Sequence, residues 1–151
     1  LVIEPFAGSA GAVTLATNNP LTLNGGFTFA GTQSLNLGTG AVTVNNNLTI
    51  TAAASTLTVG GPITDGASSF ELTKAGAGVL VLAGNNTYDG GTVLSGGTLN
   101  VDSPTAIGTG PLTVAGGTTL NNTSGGAVTL TTNNAQTWNG SFTFTGSNAL
   151  N

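Results

Sequence analysis

The sequence predicts an all-β chain wound as a parallel β-solenoid, with about three short strands in each coil of roughly 22 residues. Three observations predict it. Apolar-polar-apolar triplets recur every six to nine residues, apolar files return at one spacing, and no helical period competes with them.

The triplets are Val13-Thr14-Leu15, Leu21-Thr22-Leu23, Phe27-Thr28-Phe29, Leu35-Asn36-Leu37, Val42-Thr43-Val44, Leu48-Thr49-Ile50 and Leu57-Thr58-Val59. Alternation of period two marks half-buried strands, and Thr, Val, Ile and Phe suit a pleated surface. Gly and Asn clusters lie between the triplets, where tight corners need residues that tolerate left-handed backbone. Every third triplet gives the file Val13, Leu35, Leu57, Val79 and Val101, whose numbers step by 22 throughout. A second file, Phe29, Ile50, Leu72 and Leu94, steps by 21, 22 and 22. Hairpin sandwiches and barrels also use evenly spaced short strands, but hairpins have no reason to hold one interval across successive strands. Coils that each cover the apolar face of the one before do. At about 4.8 Å per coil, roughly seven coils make a rod on the order of 33 Å long. Gly40, Pro62, Gly84 and Ala106, again 22 apart, are expected to form a file of corners.

A longer repeat overlies the short one. Residues 11–36 align without a gap on residues 126–151 at an offset of 115, with 17 of 26 positions identical. The expected organisation is a single solenoid segment over 1–151, cut from a longer array, with a unit of about five coils.

Composition excludes several functions. The 151 residues carry one Lys against five Asp and Glu, no His and no Cys, for a net charge of −4. Nucleic-acid binding needs several cations to neutralise phosphates, so it is set aside. Zinc centres and Ser-His or Cys-His chemistry lean on His and Cys, so no cofactor, metal or catalytic residue is expected. The chain is 38% apolar with only 4% charge, whereas disordered chains are poor in apolar residues and rich in charge. It should fold. No apolar run approaches the roughly 20 residues of a membrane helix, so no membrane insertion of this segment is expected. No basic-then-apolar leader opens the chain, which reads as an interior slice or a processed product.

Residues 72–101 read LTKAGAGVLVLAGNNTYDGGTVLSGGTLNV. Lys74, Gly76, Gly78, Leu80, Leu82, Gly84, Asn85, Asn86, Thr87, Tyr88, Gly90, Thr92, Gly97, Thr98 and Leu99 fall at the offsets of a known pattern. The segment resembles the autotransporter-associated β-strand repeat, the PATR type. The resemblance implies a right-handed parallel β-helix in the passenger of a large bacterial surface protein. Such passengers are often adhesive and are exported by type V secretion through a C-terminal outer-membrane barrel. It implies a cell-surface or secreted rod or filament, adhesive or biofilm-forming. Its partners would be further coils of the same chain, end-to-end or lateral copies of itself, or host and matrix glycans.

Each candidate site has a plainer reading beside it. Lys74, the only cation, could form an isopeptide with an Asn; the plainer reading is a corner residue paired with Glu71 or Asp89. Glycan cleavage needs two close carboxylates, whereas Glu4, Asp65, Glu71, Asp89 and Asp102 are scattered along the chain. Outward Thr14, Thr22, Thr28, Thr43, Thr49 and Thr58 could form an ice-binding array, but the file breaks at Asn36, Leu80 and Asp102. Asn18-Asn19, Asn45 to Asn47, Asn85-Asn86 and Asn133-Asn134 could stack as amide ladders between coils. Trp138 and Tyr88 are the candidates for exposed aromatic contact with a glycan.

Overall fold

The computed structural model describes residues 2–3 and 11–151; Leu1 and Glu4 lie outside the described residues. Every strand pairing in it is parallel. The first sheet stacks Val2–Ile3, Phe27–Phe29, Leu48–Ala52, Leu72–Ala75, Thr92–Leu94, Leu112–Ala115 and Gln136–Asn139. The second stacks Val13–Thr14, Leu35–Asn36, Thr56–Val59, Val79–Leu82, Thr98–Val101, Thr119–Asn121 and Thr143–Phe144. The third holds Leu21–Leu23, Val42–Val44 and Ile63–Thr64. From Val13 to Ala75 the chain visits second, third and first sheets in turn, the predicted β-solenoid with three strands per coil; from Val79 onward its strands alternate between the second and first sheets, and none joins the third.

The triplets fold as the period requires. In Val42-Thr43-Val44 the valines are buried and the threonine is exposed, and in Phe27-Thr28-Phe29 the phenylalanines are buried and the threonine half-buried. One apolar core runs along the rod, built from residues such as Phe29, Ile50, Leu57, Leu80, Leu99 and Val114, each fully or almost fully buried. At about 25 cal/mol per Å² of apolar surface removed from water, these stacked side chains drive the winding. The ladders along the axis satisfy the backbone.

The register differs from the constant spacing of 22. The ladder of the second sheet runs Val13, Leu35, Leu57, Leu80, Leu99, Leu120 and Phe144. Val79 pairs with Thr56 and Thr98, and Val101 pairs with Leu82. The coil from Leu80 to Leu99 thus advances the numbering by only 19, and that from Leu120 to Phe144 by 24. The second predicted file also slips, since the ladder joins Phe27, Ile50, Lys74, Leu94, Val114 and Trp138. Corners absorb the differences in length, and parity shifts with them at one strand. Leu80, expected on the outward file, is wholly buried on the ladder between Leu57 and Leu99, while Val79, expected inward, is only partly buried beside Thr56 and Thr98.

The corner file is displaced too. A Cβ on Gly61 would fall on the backbone oxygen of Gly40, and one on Gly84 would fall on that of Gly61. The stack is Gly40, Gly61 and Gly84, with Ser103 next, its hydroxyl donating to Gly84 O at 2.6 Å. Pro62 stands one residue outside this stack and is exposed, while Ala106 is wholly buried in the core.

Candidate functional site

The segment from Leu72 to Val101 makes one coil and part of the next. Leu72–Ala75 and Thr92–Leu94 are neighbours in the first sheet, as Val79–Leu82 and Thr98–Val101 are in the second. Leu72 and Lys74 point inward and Thr73 outward. Lys74 is therefore a core residue, 0% exposed, between Ile50 and Leu94. Its aliphatic stem lies in the apolar interior and its Nζ donates to the carbonyls of Ala75 at 2.8 Å, Gly76 at 2.8 Å and Gly96 at 2.9 Å. Three donors of an ammonium meet three acceptors at one corner.

The expected corner residue paired with an acid is thus corrected. Lys74 has no acidic partner among the described residues, and Glu71 instead accepts from the Thr73 hydroxyl at 3.1 Å. The isopeptide reading falls with it, because the groups around Nζ are carbonyls of the main chain. The glycines of the segment explain the corner. Gly76 and Gly97 take φ of 78° and 65°, left-handed backbone that favours glycine. A Cβ on Gly97 would collide with Gly76 O and Gly78 O, so the two corners stack backbone on backbone.

Beyond Gly84 the chain stays extended. Asn86 and Tyr88 are buried while Asn85, Thr87 and Asp89 are exposed. Asn86 takes the place of a missing strand: its Oδ1 accepts from Ile63 N at 2.8 Å and its Nδ2 donates to Ala106 O. Tyr88 is 1% exposed, so it is no surface aromatic. Its hydroxyl lies 2.6 Å from Thr92 Oγ1, which donates to Ile107 O at 3.0 Å. Gly90 packs on the backbone at Phe70 and Glu71, where a side chain would clash.

Burial sets a pH dependence. Desolvation lowers the Lys74 pKa from its ordinary 10.5 to about 8. The unfolded chain then holds that proton more tightly than the folded chain between these values, so stability rises as pH climbs through this window. Burial raises the Tyr88 pKa above its ordinary 10.0. Above pH 10 the unfolded chain releases the phenol proton while the folded chain keeps it, so the Tyr88 contribution also changes with pH there: the fold must hold a neutral phenol that the unfolded chain would ionise, and stability falls. Urea titrations across pH 7–11 are expected to show a maximum between these two effects. A K74M chain should lack the rising limb; a rise of equal size in K74M would contradict the assignment to Lys74.

The comparisons with known proteins bear on this coil and on the chain around it. The family described as Passenger-associated-transport-repeat matches residues 72–101. The chain carries a passenger-associated transport repeat. It is also 37% identical over 131 residues to the "Adhesin BmaC autotransporter" of Brucella suis biovar 1 (strain 1330), an alignment covering 83% of this chain. The chain spans about 4% of that relative's length. No solved structure matches the chain.

Outside the passenger-associated transport repeat, the acids serve corners. Asp65 Oδ2 accepts from Phe70 N at 3.0 Å and Asp89 N at 3.3 Å. Asp102 accepts from Thr123 N and Thr123 Oγ1, each at 2.6 Å. No cluster of three or more His, Cys, Asp or Glu capable of holding a metal lies among the described residues. The Asn pairs do not form ladders as a rule. Asn45 Nδ2 reaches Asn24 Oδ1 at 2.9 Å, but Asn18 accepts from Thr39 N, and Asn134 donates to the carbonyls of Gly108 and Gly110. Asn amides fill gaps in the backbone ladder where chain geometry interrupts it.

The candidate threonine array is divided among the faces. Thr14 and Thr58 lie on the second sheet, Thr22 and Thr43 on the third, and Thr28 and Thr49 on the first. Along the first sheet the outward file Thr49, Thr73, Val93, Thr113 and Thr137 is interrupted by valine.

Trp138 is 63% exposed, yet it occupies an inward file directly after Val114. Its Nε1 donates to Gln136 Oε1 at 3.1 Å and its ring meets Phe142 edge-on, centroids 5.2 Å apart. With Leu112, Leu120, Phe142 and Phe144 it lines an open hollow of about 280 Å³. Its position continues the core ladder.

Proposed function

We propose that this chain is a non-enzymatic structural segment of a bacterial surface adhesin, a rod that spaces and presents polar faces outside the cell. One observation carries the reading: 37% identity to an autotransporter adhesin over 83% of the chain. The passenger-associated transport repeat supports a cell-surface or extracellular location. The chemistry of the surface fits, because hydroxyls and amides without charge offer many weak hydrogen bonds to neutral polar polymers such as matrix or host glycans. The acids support no alternative hydrolase. Asp65 and Asp102 hold corner backbone or hydroxyl groups, the Asp89 backbone N–H being one of those that Asp65 accepts from, and Glu71 holds the Thr73 hydroxyl. The natural neighbours of the rod along its axis are further coils of the same kind.

Beads coated with the chain should be retained on glass coated with extracellular-matrix glycans several-fold above albumin-coated beads, with no new reducing ends in the supernatant. Equal retention of the two bead types would overturn the adhesive role. Release of reducing ends would overturn the non-enzymatic one.

A further inference from the structure

The duplication of residues 11–36 at 126–151 gains a second meaning once each copy is placed on the rod. In the first copy Leu21–Leu23 lies in the third sheet, Phe27–Phe29 in the first and Leu35–Asn36 in the second. In the second copy the equivalent Gln136–Asn139 lies in the first sheet and Thr143–Phe144 in the second, while Leu150 bridges to Val128. Each located element has moved by one face, in the same sense. From Leu21–Leu23 one step along the chain reaches Phe27–Phe29 in the first sheet, and Gln136–Asn139 stands five strands further along that sheet. The 115-residue unit therefore spans five coils and one face, where the sequence suggested about five coils.

The physics permits this because the three faces make nearly the same demand on a strand: apolar residues inward, small polar residues outward, a tight corner at each end. Phe29 belongs to the first sheet of the core, whereas its equivalent Phe144 caps the second-sheet ladder above Leu120. Outward residues remain outward after the transfer. Thr22 and its equivalent Thr137 are both exposed, and Thr28 and Thr143 are both outward of their strands.

We propose that successive units of this rod present the same outward surface on faces turned by about one third of a revolution, so that a repeat-borne surface winds around the rod instead of lining one side. The partner this fits is a hydrated network of neutral polar polymer, such as a glycan matrix, that surrounds the rod and meets it from several directions. A flat receptor docking along one side would reach only one of the two copies. The choice of partner rests on the adhesive reading above; the winding rests on the strand pairings alone.

The chain has no Cys, so spin labels can be placed in pairs without background. Pulsed dipolar spectroscopy on the full chain reads the geometry. Thr28→Cys with Thr137→Cys puts both labels on the first sheet, five strands apart, which is about 25 Å at ~4.8 Å per coil with a small lateral offset. Thr22→Cys with Thr137→Cys labels positions equivalent in sequence but on different faces, and should read longer by roughly 5–10 Å given strands of ~3.3 Å per residue. Thr28→Cys with Thr143→Cys should also read long. The reverse order, with the equivalent pairs at the shorter distance and Thr28/Thr137 at the longer, would overturn the winding. These sites are outward, and unchanged circular dichroism verifies the fold of each variant. Failed bead adhesion with the expected distances would remove the proposed partner and leave the winding intact.

Discussion

A G61A chain is expected to unfold about 10 °C below the parent, a loss of roughly 3 kcal/mol or more. Gly61 is buried in the corner stack, and its φ lies outside the left-handed region, so the cost is steric and not conformational. The added methyl would fall well inside 3.0 Å of Gly40 O, with the Gly40 and Thr39 carbonyl carbons also within 3.0 Å. Backbone atoms cannot rotate away as a flexible side chain can, so two coils must separate locally and the ladders beside them lengthen. The control is Gly25→Ala, where a Cβ meets nothing within 4 Å; it should change stability by no more than about 0.5 kcal/mol. Thermal and urea unfolding of both variants reads the difference. If G61A matches G25A, the close stacking of the Gly40, Gly61 and Gly84 corners is wrong.

Replacing Lys74 with methionine is expected to cost about 3 kcal/mol, although methionine is the more apolar residue and Lys74 is in the core. Methionine preserves most of the stem's packing but supplies no donor to the carbonyls of Ala75, Gly76 and Gly96. Carbonyls left without donors cost about 1–3 kcal/mol each when fully buried, and less here because these three residues are only partly buried. Alanine removes the stem as well and opens a cavity next to Ile50 and Leu94, so K74A should lose a further ~2 kcal/mol or more. The ordering parent, K74M, K74A in urea midpoint separates the polar role from the packing role. A K74M chain more stable than the parent at pH 7 would show that the ammonium is a buried burden and not a corner clamp.

How much of this was legible in the residues depends on the kind of signal. Parity was legible: Val42-Thr43-Val44 and Phe27-Thr28-Phe29 announce which side faces the core, and the three-sheet winding follows from their number per coil. Register was not, because corner length has no signature in a single strand. The segment between Leu82 and Thr92 closes its coil without a strand on the third face, using Asn86 as a surrogate, and this shortens the interval from Leu80 to Leu99. The two misplaced site residues share one cause. Chemical type assigns a lone cation and a tyrosine to the surface, yet each lies at inward parity, Lys74 two residues after buried Leu72 and Tyr88 two after buried Asn86. Counting parity from the nearest certain core residue places both inside. Trp138 shows the converse, an inward file position that is exposed where it stands.

The corner stack, the Lys74 clamp and the winding repeat all presuppose parallel coils in this register. The cross-strand nuclear Overhauser map of the isotopically labelled chain tests that most directly. It should link backbone protons of Leu57 to Leu80, Leu80 to Leu99 and Leu99 to Leu120, with no strong Hα–Hα peaks between the consecutive strands Leu72–Ala75 and Val79–Leu82. Strong Hα–Hα peaks between those two strands, as antiparallel hairpins give, would contradict the account.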